Sequence, residues 1–66
     1  MKLKVDEKSD ALYFRIDDSE IIDSKEVSAG IILDYNSKDE VVGIEILNVS
    51  RRSQPVNFKS LQYETA

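Results

Sequence analysis

The chain has 66 residues, with 13 acidic side chains against nine basic ones and a formal charge of −4, so it reads as one small acidic domain, residues 1–66, whose surface repels phosphate backbones and is not expected to bind nucleic acid. It has no cysteine and no histidine, which rules out disulfides, thiolate metal sites and the commonest general base, and disfavours zinc. A chain this short buries only about 60% of its unfolded surface, so its stability depends on an efficient core or on self-association.

Met1-Lys2-Leu3-Lys4-Val5-Asp6 alternates apolar and charged residues and predicts a short half-buried strand. The same stretch lacks the apolar centre of a signal peptide, and no apolar run approaches the ~20 residues of a membrane span; a cytoplasmic location without membrane association is the expectation. Asp6–Asp10 is a polar turn. Ala11–Asp17 alternates cleanly, with Leu12, Phe14 and Ile16 on one face and Ala11, Tyr13 and Arg15 on the other. Asp17–Glu20 is a turn rich in side chains that bond their own backbone. Ile21–Val27 is a weaker strand, diluted by Asp23, Ser24, Lys25 and Glu26, and is expected at a sheet edge, where charges discourage unwanted pairing. Ser28-Ala29-Gly30 supplies the next bend.

Ile31–Tyr35 and Val41–Leu47 form a β-hairpin around Asn36–Glu40, a loop that suits a type I turn followed by a residue at positive φ, with Asp39 or Asn36 as the tolerant residue. Gly43 inside the second strand marks a bulge or a close backbone approach. Pairing Leu33 with Val42 or Ile44 puts Ile31, Leu33, Val42, Ile44 and Ile46 on one apolar face. A slip of one residue would bring Ile32 to that face instead, and the first register is favoured because it gathers more apolar surface. Ala11, Tyr13, Ile32, Val41 and Leu47 are then left on the second face. Asn48 is a suitable helix N-cap for a short helical segment near residues 48–54, which Pro55 ends. Val56–Ala66 fits either a short strand near Ser60–Thr65 or a helix, with the strand slightly favoured. The fold expected is mainly β: a small antiparallel sheet of five or six short strands in meander order.

Asp10-Ala11-Leu12-Tyr13, then Gly30-Ile31-Ile32-Leu33-Asp34-Tyr35, then Val42-Gly43-Ile44-Glu45-Ile46-Leu47 followed by Arg51-Arg52, resemble in order and spacing a small prokaryotic family, domain of unknown function 2283. The resemblance spans about residues 2–52. The chain departs from the family pattern at Asp39, where relatives often carry glycine. As the family is uncharacterised, the resemblance implies little about function; relatives beside small toxin-like genes give an antitoxin-like partner protein as the sharpest variant.

Candidate sites are few. Asp34 and Glu45 lie on facing strands and would serve as an acid–base pair if burial raised one pKa; ordinary strand alternation instead turns them to solvent. Asp17, Asp18, Glu20 and Asp23 lack the spacing and central glycine of a calcium loop. Arg51 and Arg52 suit the carbonyl-rich end of a short helix better than a phosphate grip. Tyr13, Tyr35 and Tyr63 are expected to pack against cross-strand neighbours and not to form a binding platform. No catalytic, cofactor-binding or metal-ligating residue is assigned. The expected function is a non-catalytic interaction module, homodimeric or partner-binding, using the second sheet face or an edge strand; the alternative is a small enzyme or ligand-binding protein using Asp34 and Glu45.

Overall fold

The computed structural model describes all 66 residues, Met1–Ala66. Five strands, β1 (Lys2–Asp6), β2 (Ala11–Arg15), β3 (Asp23–Ser28), β4 (Ile31–Tyr35) and β5 (Val41–Leu47), form one open antiparallel sheet, followed by a single 3-10 turn at Val49–Arg51. The mainly β expectation holds. β4 and β5 have the predicted bounds, and β3 is an edge strand as its charges require.

The expected meander order needs correction. It holds within β1-β2 and within β3-β4-β5, but the spatial order is β1-β2-β5-β4-β3. Over β2–β5 this is a Greek key traced in reverse: three hairpin-linked strands, with β2 lying beside β5. A plain meander would put β3 in the middle of the sheet. Every residue of β3 is exposed, and Val27 is its one apolar residue, too few to partner both Leu12 and Phe14. β5 offers both partners, and so takes the centre: Leu12 pairs with Ile46 and Phe14 with Ile44.

Residues 16–22 therefore have to cross the end of the β4–β5 hairpin to reach β3. Backbone bonds hold both ends of the crossing, Ile16 N–H to Val42 O at 2.7 Å and Ile22 N–H to Tyr35 O at 2.9 Å. Arg15 fastens its middle, with Nε donating to Asp17 O at 2.9 Å and Nη2 to Ser19 O at 2.6 Å. Asn36, only 7% exposed, ties the hairpin loop together beneath the crossing. Its Oδ1 accepts from Lys38 N–H and Glu40 N–H, each at 3.0 Å, while Nδ2 donates to Glu40 Oε1 at 3.0 Å and to Ser19 Oγ at 3.4 Å. Asp39 takes the positive φ, +64°. Replacing it with glycine removes the left-handed strain at the expense of a more flexible unfolded chain. Asp39→Gly should leave the fold intact and raise stability by about 0.5 kcal/mol, read from the urea midpoint.

Asn48 occupies the N-cap position of the 3-10 turn but does not act as the expected side-chain cap: it is left-handed, at φ +56°, and makes no cap hydrogen bond. The cap comes from the β1–β2 loop. Asp10 Oδ1 accepts from Ser50 N–H at 2.9 Å and Oδ2 from Ser50 Oγ at 2.7 Å, while Asp10 O accepts from Val49 N–H. The turn is shorter than the 48–54 segment anticipated because nothing beyond residue 51 is buried deeply enough to extend it.

No strand or helix forms in residues 56–66, so both readings of that segment are corrected. Leu61 and Tyr63 are each 72% exposed; without burial, a short segment does not recover the entropy of ordering its backbone.

The favoured register is the observed one: Leu33 pairs with Ile44 and Ile31 with Ile46, while Ile32 faces Glu45. Two apolar rows result on one face. Leu3, Phe14, Ile44 and Leu33 line up across the sheet, and so do Val5, Leu12, Ile46 and Ile31. Yet the hydrophobic side chains that count as buried are only Ala11, Val42 and Val49, and none of the eight row residues is among them. The sheet has no second layer.

Candidate functional site

Alternation puts Lys4, Ala11, Tyr13, Ile32, Asp34, Gly43, Glu45 and Leu47 on the face opposite the two rows. There the Tyr13 hydroxyl donates to Asp34 Oδ2 at 2.9 Å, and Ser24 Oγ donates to Asp34 Oδ1 at 2.6 Å. This chain joins β2, β4 and β3 over the central strand. It passes directly above Gly43, where a Cβ would stand 2.4 Å from Tyr13 Oη and 2.9 Å from Asp34 Oδ2. Gly43 is thus a close-approach glycine; the bulge also anticipated lies beside it, where pairing steps from Asp34–Gly43 to Tyr35–Val41.

Burial, and after it the hydrogen bond to Asp34, raise the Tyr13 phenol above its ordinary value of 10.0. The phenol therefore stays protonated as a donor through neutral pH. Above pH 10 the folded chain retains a proton that the unfolded chain has lost, so this contribution to stability is complete below that pH and falls as pH rises through the folded value. Tyr13→Phe should cost about 1 kcal/mol at neutral pH and flatten the alkaline limb of a stability–pH profile; an unchanged limb would show that Tyr13 is not its source.

Asp34 and Glu45 share a face, and both border an open depression of about 420 Å³ together with Lys4, Asp6 and Tyr13. The two carboxylates do not make an isolated pair. Asp34 is engaged by two hydroxyls, which fix it as an acceptor and strap three strands together, and Glu45 stands beside Tyr13 in the pairing. What the arrangement does chemically is orient one phenol and one carboxylate; a proton relay would need a group whose pKa is tuned near neutrality.

The remaining candidates are scattered. Asp17 accepts from Ser19 N–H and Asp23 from Ser24 N–H, and no three acidic side chains gather as metal ligands. The side-chain bond from Ser19, and after it the Ser19 backbone bond, hold the Asp17 carboxyl below its ordinary range. Arg51 lies in the last turn of the 3-10 segment, exposed, as does Arg52 after it. Tyr13 lies on the polar face, Tyr35 sits under the Lys25 ammonium at 5.6 Å, and Tyr63 is in the C-terminal segment, so the three tyrosines form no platform.

The surface that sequence reading misjudged is the apolar one. The second face was expected to be the leftover docking side, with the two rows as core. Instead the rows themselves are only partly covered: Leu3 and Val5 are 38% exposed, Ile31 is 36% exposed, and the other five are half-buried. At one end the patch runs into Leu61 and Tyr63, which border a depression of about 620 Å³ with Met1, Leu3 and Phe14. The signal was present in the sequence, since an amphipathic strand set with no long helix has nothing to lay over its apolar face. No helix is long and apolar enough to cross a membrane.

A family model described as protein of unknown function (DUF2283) matches residues 2–50. That span holds all five strands and the polar chain of Tyr13, Asp34 and Ser24. No curated protein matches the chain, and no solved structure does.

Proposed function

This chain belongs to the DUF2283 family of proteins of unknown function, and from that premise we propose that it is a non-catalytic interaction module that docks through its apolar sheet face. One observation carries the reading: eight large apolar side chains form two contiguous rows on a one-layer sheet, and none is buried. A sheet that is apolar on one face has to cover that face against another element, and exposed apolar patches of this kind on small proteins mark contact sites. The polar face supports the same reading, because its Asp34 carboxylate, held by the Tyr13 and Ser24 hydroxyls, is spent on holding strands together. An antitoxin-like role is the sharper variant of this module, one in which the partner is a different chain.

The test is affinity capture from source cells with immobilised wild-type chain, Ile44→Lys in the middle of the apolar rows, and Glu45→Lys on the other face. Wild type and Glu45→Lys should retain the same protein, whether a second copy or another chain, and Ile44→Lys should lose it. Equal retention by all three, or loss only with Glu45→Lys, would overturn the reading.

A further inference from the structure

We infer that the occupant of the apolar face is a second copy of this chain, packed face to face so that two five-stranded sheets close into a two-layer sandwich; the inference rests on the interaction reading above and names its partner. The first argument is area. The chain exposes 5468 Å² at a mass of 7.5 kDa. A compact monomer of that mass exposes about 4,250 Å², so about 1,200 Å² remains to be covered, and a standard stable interface covers about 800 Å² per partner. The irregular C-terminal segment, residues 52–66, is exposed at all but Phe58 and contributes part of that surplus; the three exposed row residues, Leu3, Val5 and Ile31, contribute on the sheet face.

The second argument is geometry. The rows Leu3–Phe14–Ile44–Leu33 and Val5–Leu12–Ile46–Ile31 form a contiguous grid of aliphatic side chains and one aromatic ring, two residues deep. Such a grid is self-complementary under a two-fold axis, as an isologous contact requires, and two of them interdigitate at the usual sheet spacing of about 10 Å. The third is charge. The chain is acidic overall, yet none of the eight grid residues is ionisable. The cation at their border, Lys25, continues the Leu33 row and sits over the Tyr35 ring. Asp23, two residues along β3 from Lys25 and paired with Tyr35, brings a carboxylate to the edge of the same face, outside the grid.

The last argument is folding. Three buried hydrophobic residues and no disulfide leave the isolated sheet with little to hold it. A partner needed for folding has to be present whenever the chain is made, and a second copy always is. Folding and association are then one equilibrium.

The experiment measures thermal unfolding and light scattering of the full chain over a wide concentration range, together with isotope-filtered NOE spectra of a mixture of labelled and unlabelled wild-type chains. Dimeric mass is expected, with a midpoint that rises by about 5 °C per tenfold increase in concentration. Methyl NOEs should cross between copies from Ile44, Ile46, Leu33 and Leu12, and Ile44→Lys should abolish the dimer. The NOE readout uses wild type, so it stands even if Ile44→Lys fails to fold. A folded monomer with a concentration-independent midpoint overturns the second copy alone, because the capture experiment then decides the interaction reading separately. A dimer whose NOEs come only from an edge strand or from the Tyr13 face overturns both.

Discussion

Gly43→Ala is expected to destabilise the fold by about 2–3 kcal/mol, against a margin of about 3–5 kcal/mol for a domain of this size. Gly43 is not among the residues at positive φ, so its backbone tolerates a side chain; the obstacle is space. An added Cβ would lie 2.4 Å from Tyr13 Oη and 2.9 Å from both Tyr13 Cζ and Asp34 Oδ2. The ring has to lift off the central strand, and the 2.9 Å hydrogen bond to Asp34 goes with it. Strand propensity would otherwise favour a β-branched residue at this position, so the glycine records the aromatic ring laid over it. Urea unfolding of Gly43→Ala, Tyr13→Ala and the double variant checks the account. In the Tyr13→Ala background the cost of Gly43→Ala should shrink to what the Asp34 approach at 2.9 Å leaves, and full additivity of the two losses would show that they do not act through one contact.

Asn36→Ala should cost a similar amount, about 2–3 kcal/mol, for a different reason. Asn36 is buried, and its amide is hydrogen-bonded at both ends. It is also the point where the β4–β5 loop meets the 16–22 crossing through Ser19. Removing the amide leaves the Lys38 and Glu40 N–H groups to water and detaches the crossing from the loop. Hydrogen exchange should therefore quicken at Lys38 and Glu40 and along residues 17–22, while amides of the β1–β2 pair stay protected. Asn36→Asp is the informative control. It keeps both acceptor bonds but loses the donor to Glu40 and sets two carboxylates side by side, so its loss should fall between wild type and alanine. A loss for Asn36→Asp equal to that of alanine would mean that the donor side, and not the turn, carries the stabilisation.

These two residues show where sequence reading stopped. Gly43 stood out as a close-approach or bulge glycine, but the group that approaches it belongs to β2, thirty residues earlier in the chain. Tyr13 reaches Gly43 and Asp34 only because β2 lies beside β5, and the meander order would have separated them. Two expectations were incompatible: a β3 in which Asp23, Lys25 and Glu26 are charged belongs at an edge, whereas a five-strand meander puts the third strand in the middle. Asn36 was noted as a turn residue, but nothing local says that a crossing strand will pass over it. Asn48 has the right chemistry for a cap, yet Asp10, close in space and distant in sequence, took that role.

By itself the sequence determined the parts of this protein that depend on neighbours along the chain: the mainly β character, the bounds of β4 and β5, a hairpin turn with Asp39 or Asn36 at positive φ, the edge character of β3, and the shared apolar face of Leu33 and Ile44. Alternation, charge and turn chemistry act over a few residues, and the apolar pattern of one hairpin suffices to choose its pairing. The tertiary structure decided strand order, the stitches at Asp10, Asn36 and Tyr13–Asp34, and which face is left open. Those depend on which apolar strands find each other across the chain, and on whether anything remains to cover them. In this chain the face that alternation marks as core is complete as a pattern but only partly buried, with Leu3, Val5 and Ile31 exposed and no second layer of secondary structure over it.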